Sequence, residues 1–199
     1  AVHLPMLRLS PGGRGRLHRC RIQPRIVGEQ PHLGPRGKSR PALPGVKEYV
    51  VTPTKAQTEI AEHLAKLGVH IVVGHHPHVV QPVTMVGDTL VIYSLGNFLS
   101  AQKELFKLVG LLVSLDAVKT EMPEGVKIDL ENVTGTLPYN PRRSPLGRYV
   151  VVPFDMMTDT VLDDFAKVHG RFAARVKIDD TIAIEALAQP GVPPEPSLP

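Results

Sequence analysis

The stretch TKAQTEIAEHLAKLGVHIVVGHHPH, residues 54–78, decides the fold class of this chain. Its first part repeats apolar residues at helical spacing, with Ala56, Ile60, Leu64 and Leu67 on one stripe. Thr54 and Gln57 stand three apart, the spacing of a capping box in which two side chains satisfy the orphan N–H groups of a helix start. Gly68 supplies the stop. The pattern therefore predicts a helix over 54–67. Residues 69–73 are apolar and β-branched, as in a strand buried on both faces, and Gly74 ends them. Helix, strand, glycine and then polar residues is the layout of an α/β domain whose ligand site lies at strand C-termini.

Working outward, residues 83–86 and 89–93 flank Gly87-Asp88 and read as a hairpin. Residues 108–115, 126–133 and 148–152 are further strand candidates. A second helix is expected over 160–171, with Val161, Phe165, Val168 and Phe172 on one face. From Gln189 onward five of eleven residues are proline, which reads as a loose tail over 189–199. The expected domain is thus an α/β unit over 46–188.

The chain has 199 residues, 42% of them apolar and 21% charged, enough for one ordinary domain. No run of 18 apolar residues exists, so no membrane-spanning helix is expected. Gly, Pro and Arg interrupt every apolar segment near the N-terminus, so no signal peptide is expected and the cytoplasm is the default location. One cysteine, Cys20, excludes an intrachain disulfide and a thiolate zinc cluster. With no Trp, four Tyr and five Phe, a stacking platform for single-stranded nucleic acid is not expected.

The net charge of +4 averages two unlike regions. Residues 1–45 carry eight Arg and one Lys against Glu29 alone, a local +8, whereas 46–199 carry −4. The first 45 residues also hold seven Pro and seven Gly without any sustained period. Such a segment buries too little apolar surface to offset its ordering entropy, and it reads as disordered. A phosphate-contacting arm and a stretch foreign to the domain, such as a GC-rich gene read out of frame, are the alternatives. The basic balance belongs to this segment and implies no nucleic-acid partner for the domain.

Chemistry concentrates in Gly74-His75-His76-Pro77-His78, three of the nine histidines within four residues at a strand end. Neutral imidazole suits Zn, Mn, Fe and related divalent ions. Histidines at i and i+2 of an extended loop point the same way, and Pro77 fixes φ between them. Exposed loop histidines without a ligand are the bland alternative. His63 and His169 fall on expected helices and read as solvated, His70 as a structural strand residue. His3, His18 and His32 carry no functional reading. Tyr93-Ser94-Leu95-Gly96-Asn97-Phe98 is a second polar turn after a strand, in which Ser94 and Asn97 can bond loop backbone or reach the histidines.

Together, Gly-His-His-Pro-His-Val-Val-Gln at 74–81 and Tyr-Ser-Leu-Gly-Asn-Phe at 93–98, with Glu48-Tyr49, Pro53 and Gln57 upstream, resemble the CapA family. These are bacterial capsule or poly-γ-glutamate synthesis proteins within the calcineurin-like metallophosphoesterase superfamily, and the match covers roughly 45–100. The resemblance implies the C-terminal part of a four-layer α/β sandwich with metal ions at strand C-termini. It also implies a dinuclear centre that activates water for phosphoester hydrolysis. The superfamily's Gly-His-x-His element maps onto His76 and His78 as metal ligands, leaving His75 to face substrate or move a proton. The family's early Gly-Asp and Asn-Asn-His elements do not occur here, and the stretch before Glu48-Tyr49 lacks the family's further His. The resemblance thus implies either a metal-dependent phosphoesterase, truncated relative to its family and weakly active or inactive, or a non-catalytic component of polymer synthesis or export. The partners in either case would be the synthesis machinery or an anionic polymer.

Overall fold

The computed structural model describes residues 47–123, 125–141 and 150–187, together with the backbone of strand β1, Leu17–Ile22. In chain order there follow α1 (Lys55–Lys66), β2 (Ile71–Val73), β3 (Val83–Val86), β4 (Thr89–Ile92), β5 (Leu112–Met122) and β6 (Gly125–Thr136). Then come β7 (Pro138–Tyr139), β8 (Val152–Pro153), α2 (Phe165–Val176) and β9 (Ala183–Ile184). Among the described residues the architecture is mixed α/β, two α-helices with small sheets ordered β2-β4-β3, β1-β5-β6-β9 and β7-β8.

Strand β4 is the centre of the arrangement. It runs parallel to β2 (Val72 opposite Val91) and antiparallel to β3 through the Gly87-Asp88 turn. Side chains alternate along a strand, so Leu90 and Ile92 enter the main core while Val91 and Tyr93 meet Ala61 of α1 on the other face. All four residues of β4 are buried. The main core continues through Val113 and Leu115 of β5 to Phe172 and Val176 of α2, with Phe154 beside them.

Helix α1 forms where its sequence places it, with the capping box of Thr54 and Gln57 complete. Its rotation differs from the expected stripe. Ala61 faces the sheet at 1% exposure, whereas Ile60 and Leu67 remain 40% and 65% exposed. The small Ala61 lets the helix lie close on Val91 and Tyr93, and Gln57 locks that rotation by hydrogen bonds to Gln81 and the Tyr93 carbonyl.

The second helix starts later than expected. Residues 158–162 turn instead, with the amides of Val161 and Leu162 bonding the Thr158 carbonyl, and Val161 is exposed. Phe165, Val168 and Phe172 do face inward, and Val176 extends their stripe by one more turn. Residues 108–111 bridge individually to 96 and 139 before β5 begins, so the strand expected at 108–115 is displaced to Leu112–Met122. Of the strand expected at 148–152, residues 150 and 151 are irregular and only Val152 is in a strand, Val152–Pro153; 148 and 149 lie outside the described residues. Within the segment expected to be disordered, Leu17–Ile22 forms β1 along the edge of β5, which supplies a row of otherwise unpaired backbone groups. The remainder of 1–45 and the tail at 189–199 lie outside the described residues.

Two of the three other histidines take places that differ from expectation. His63 is exposed, as anticipated. His70 is exposed too, in a bend before β2 that contributes only its carbonyl, to the Leu90 amide at 2.9 Å. His169 is buried rather than solvated, its ring 5.5 Å from that of Phe154, because the face of α2 that carries it turns onto the core.

Candidate functional site

Because β2 and β4 are parallel neighbours, the loops that leave their C-terminal ends emerge on one edge of the sheet. The first loop is Gly74–His78 and the second begins at Tyr93. The Gly74 amide donates to the Ile92 carbonyl at 2.6 Å, and the Gln81 amide to the Ser94 carbonyl at 3.1 Å. The Ser94 hydroxyl accepts from the Gly96 amide, a purely local turn contact. Asn97 reaches the histidines.

His78 Nδ1 lies 2.9 Å from Asn97 Oδ1, while Asn97 Nδ2 donates to the carbonyls of Lys107 at 2.9 Å and His78 at 3.2 Å. The loop is not the extended stretch the sequence suggested. His76 has φ 145 and His78 φ 59, conformations that cost a non-glycine residue on the order of 1–3 kcal/mol each unless the surroundings hold them. The bond from Asn97 Nδ2 to the His78 carbonyl is one such hold. The His76 and His78 rings stand 6.2 Å apart, tilted by 47°.

Residues far upstream complete the site. The Tyr49 amide donates to the Pro77 carbonyl at 2.8 Å, and its ring lies 6.1 Å from that of His78. Lys107 Nζ sits 3.6 Å over the Tyr49 ring, a cation–π contact, and pairs with Glu104 at 3.2 Å. Gln81, with no exposure at all, accepts from Gln57 Nε2 at 2.7 Å and donates to the carbonyls of Val50 and Thr52. That pair fastens the segment carrying Tyr49 to α1 and the sheet. Sequence reasoning missed Lys107, for which no local signal exists. It also missed the role of Gln81, which only its place in an apolar run could have flagged.

His75 departs from an open catalytic position. Both ring nitrogens are buried and without a hydrogen-bond partner. Burial holds its pKa below the ordinary histidine value, and the neighbouring imidazoles of His78 and His76 push the same way. A buried, neutral imidazole with two unpaired nitrogens carries a desolvation cost that a bound group would relieve.

These imidazoles are donors of the kind a divalent ion accepts. Among the described residues, however, no three His, Cys, Asp or Glu side chains converge to hold a metal ion. The Asn97 oxygen is committed to His78 and the nearby Glu104 to Lys107. The described residues therefore do not by themselves fit the dinuclear centre that the resemblance implied.

Residues 44–102 match the family model described as "Bacterial capsule synthesis protein PGA_cap". A stretch of 56 residues is 41% identical to the PGA biosynthesis protein CapA of Bacillus subtilis (strain 168), covering 28% of this chain and 15% of that protein. The capsule biosynthesis protein CapA of Bacillus anthracis is 39% identical over 56 residues, or 28% of this chain and 14% of that one. The chain thus spans about a seventh of the length of the curated relatives it matches. Both loops and the Tyr49 segment fall inside residues 44–102, the region over which this chain matches the CapA-type bacterial capsule synthesis proteins.

Proposed function

We propose that the chain acts in the synthesis of a bacterial capsular polymer of the poly-γ-glutamate type. Its histidine loop would be the imidazole part of a phosphoesterase-type metal site in a metallophosphoesterase-like α/β sandwich. The observation that carries this reading is the position of His76 and His78. They occupy the C-terminal edge shared by β2 and β4, inside the region that matches capsule synthesis proteins. In this reading His76 and His78 bind a divalent Mn, Fe or Zn ion and His75 serves the substrate or a proton transfer. Carboxylate donors would have to come from outside the described residues, so no catalytic step is assigned to the chain alone.

The incomplete donor set favours a second reading, a non-catalytic component of the synthesis machinery that binds anionic polymer or partner proteins. Calorimetric titration of the full chain with Mn²⁺, beside His76→Ala and His78→Ala, separates the two. Weak binding that both substitutions abolish is the expected result. Absence of any histidine-dependent binding would overturn the metal-site reading in favour of the second.

A further inference from the structure

Asn97 does more than bond a loop. It is 4% exposed, so water cannot satisfy its amide, and every polar atom of the side chain has a protein partner. Both Nδ2 hydrogens go to carbonyl oxygens, those of Lys107 and His78, and carbonyls can only accept. The orientation of the amide is thereby fixed, and Oδ1 is left facing His78 Nδ1 at 2.9 Å. An amide oxygen has no proton to give. Two lone pairs at that distance would repel, so the proton of the bond must sit on His78 Nδ1.

We infer that Asn97 is a positioning residue that sets the tautomer of His78, holding its proton on Nδ1 and leaving the Nε2 lone pair as the acceptor atom of the histidine loop. A free imidazole side chain in water favours the opposite tautomer, so the loop must impose this one. The imposition is rigid because Asn97 is itself clamped. Asn140 Nδ2 donates to its carbonyl at 3.4 Å, and Gly110 lies so close to that carbonyl that no Cβ would fit between them. The same Asn97 amide holds the His78 carbonyl and so the left-handed backbone, φ 59, that aims the ring. Ring and backbone are positioned by one side chain. Fixing the tautomer through the far nitrogen is how protein scaffolds prepare a histidine for an electrophile.

The consequence for metal affinity rests on the function proposed above, while the tautomer itself does not. The test uses the full chain labelled with ¹⁵N-histidine, stripped of metal by chelation, at a mildly alkaline pH. Long-range ¹H–¹⁵N correlation, assigned by the signals missing in His78→Gln, reads each ring nitrogen. A protonated Nδ1 and an unprotonated Nε2 at His78 are expected in the unmodified chain. A protonated Nε2, or an even mixture, overturns the inference without any Asn97 variant. Asn97→Asp retains the acceptor oxygen and should keep the tautomer, whereas a folded Asn97→Leu should lose it. If the protein binds Mn²⁺ through His78, Asn97→Leu should weaken that binding about 10–100-fold. A confirmed tautomer with unchanged or absent Mn²⁺ binding would count against the metal site alone.

Discussion

Gly74 lies against Tyr93 so closely that a Cβ at position 74 would stand inside van der Waals contact with the Tyr93 carbonyl oxygen. This approach lets the chain leave β2 and turn its histidines over the end of β4. The atom it meets is backbone, which cannot rotate away as a side chain could.

Gly74→Ala should therefore destabilise the protein by about 1–3 kcal/mol, the range for an overpacked site. Urea unfolding monitored by circular dichroism would show it as a lower midpoint at constant slope. An unchanged midpoint would mean the two strand ends are looser than described.

The N-terminus of α1 permits a graded pair of substitutions. Thr54→Ala removes only the cap and should cost about 1 kcal/mol. Gln57→Ala removes the reciprocal cap and also strips the fully buried Gln81 oxygen of its donor, a loss of about 1–3 kcal/mol more. Thermal melts should rank the two variants in that order, with Gln57→Ala the less stable.

Stability should fall on mild acidification, and His169 is one cause. Burial holds its folded pKa below the ordinary value, against a smaller opposing contribution from the Glu185 backbone. The unfolded chain takes up this proton near the ordinary value of about 6.5, while the folded state resists it. Between those two pKa values the unfolded state binds more protons, so stability rises with pH. The contribution is complete above about 6.5 and is lost as pH drops through that value towards the folded pKa. Melting temperatures measured at about pH 7.5 and 5.5 should differ less in His169→Leu than in the unmodified chain. His75, shifted in the same direction, should account for part of the slope that remains.

As a hydrolase the isolated chain should be feeble. With Mn²⁺ and a generic aryl phosphate monoester or diester, turnover should stay at background in the unmodified chain, His76→Ala and His78→Ala alike. A bridged second ion, the usual clamp for attacking and leaving oxygens, needs donors that do not converge among the described residues. Robust turnover abolished by either substitution would show that the missing donors are supplied from elsewhere in the chain.

Local pattern by itself determined α1, its cap and stop, the β3–β4 hairpin and the strand that feeds the histidine loop, because each rests on contacts a few residues apart. The CapA resemblance of the two polar loops was legible for the same reason, since both are short contiguous motifs. Tertiary structure alone decided the rest. The rotation of α1 follows from Ala61 fitting where Ile60 does not, together with a Gln57–Gln81 bond that spans 24 residues. His169 has the polarity of a surface residue, and only the packing of α2 on Phe154 buries it. Tyr49 and Asn97 meet His78 from two separate segments and Lys107 contacts both of them from a third, as the parallel pairing of β2 with β4 and the crossing of the 107–110 chain dictate. Periodicity encodes which face of an element is apolar. It does not encode which polar atom finds which partner across the fold, and at this site those pairings set the geometry.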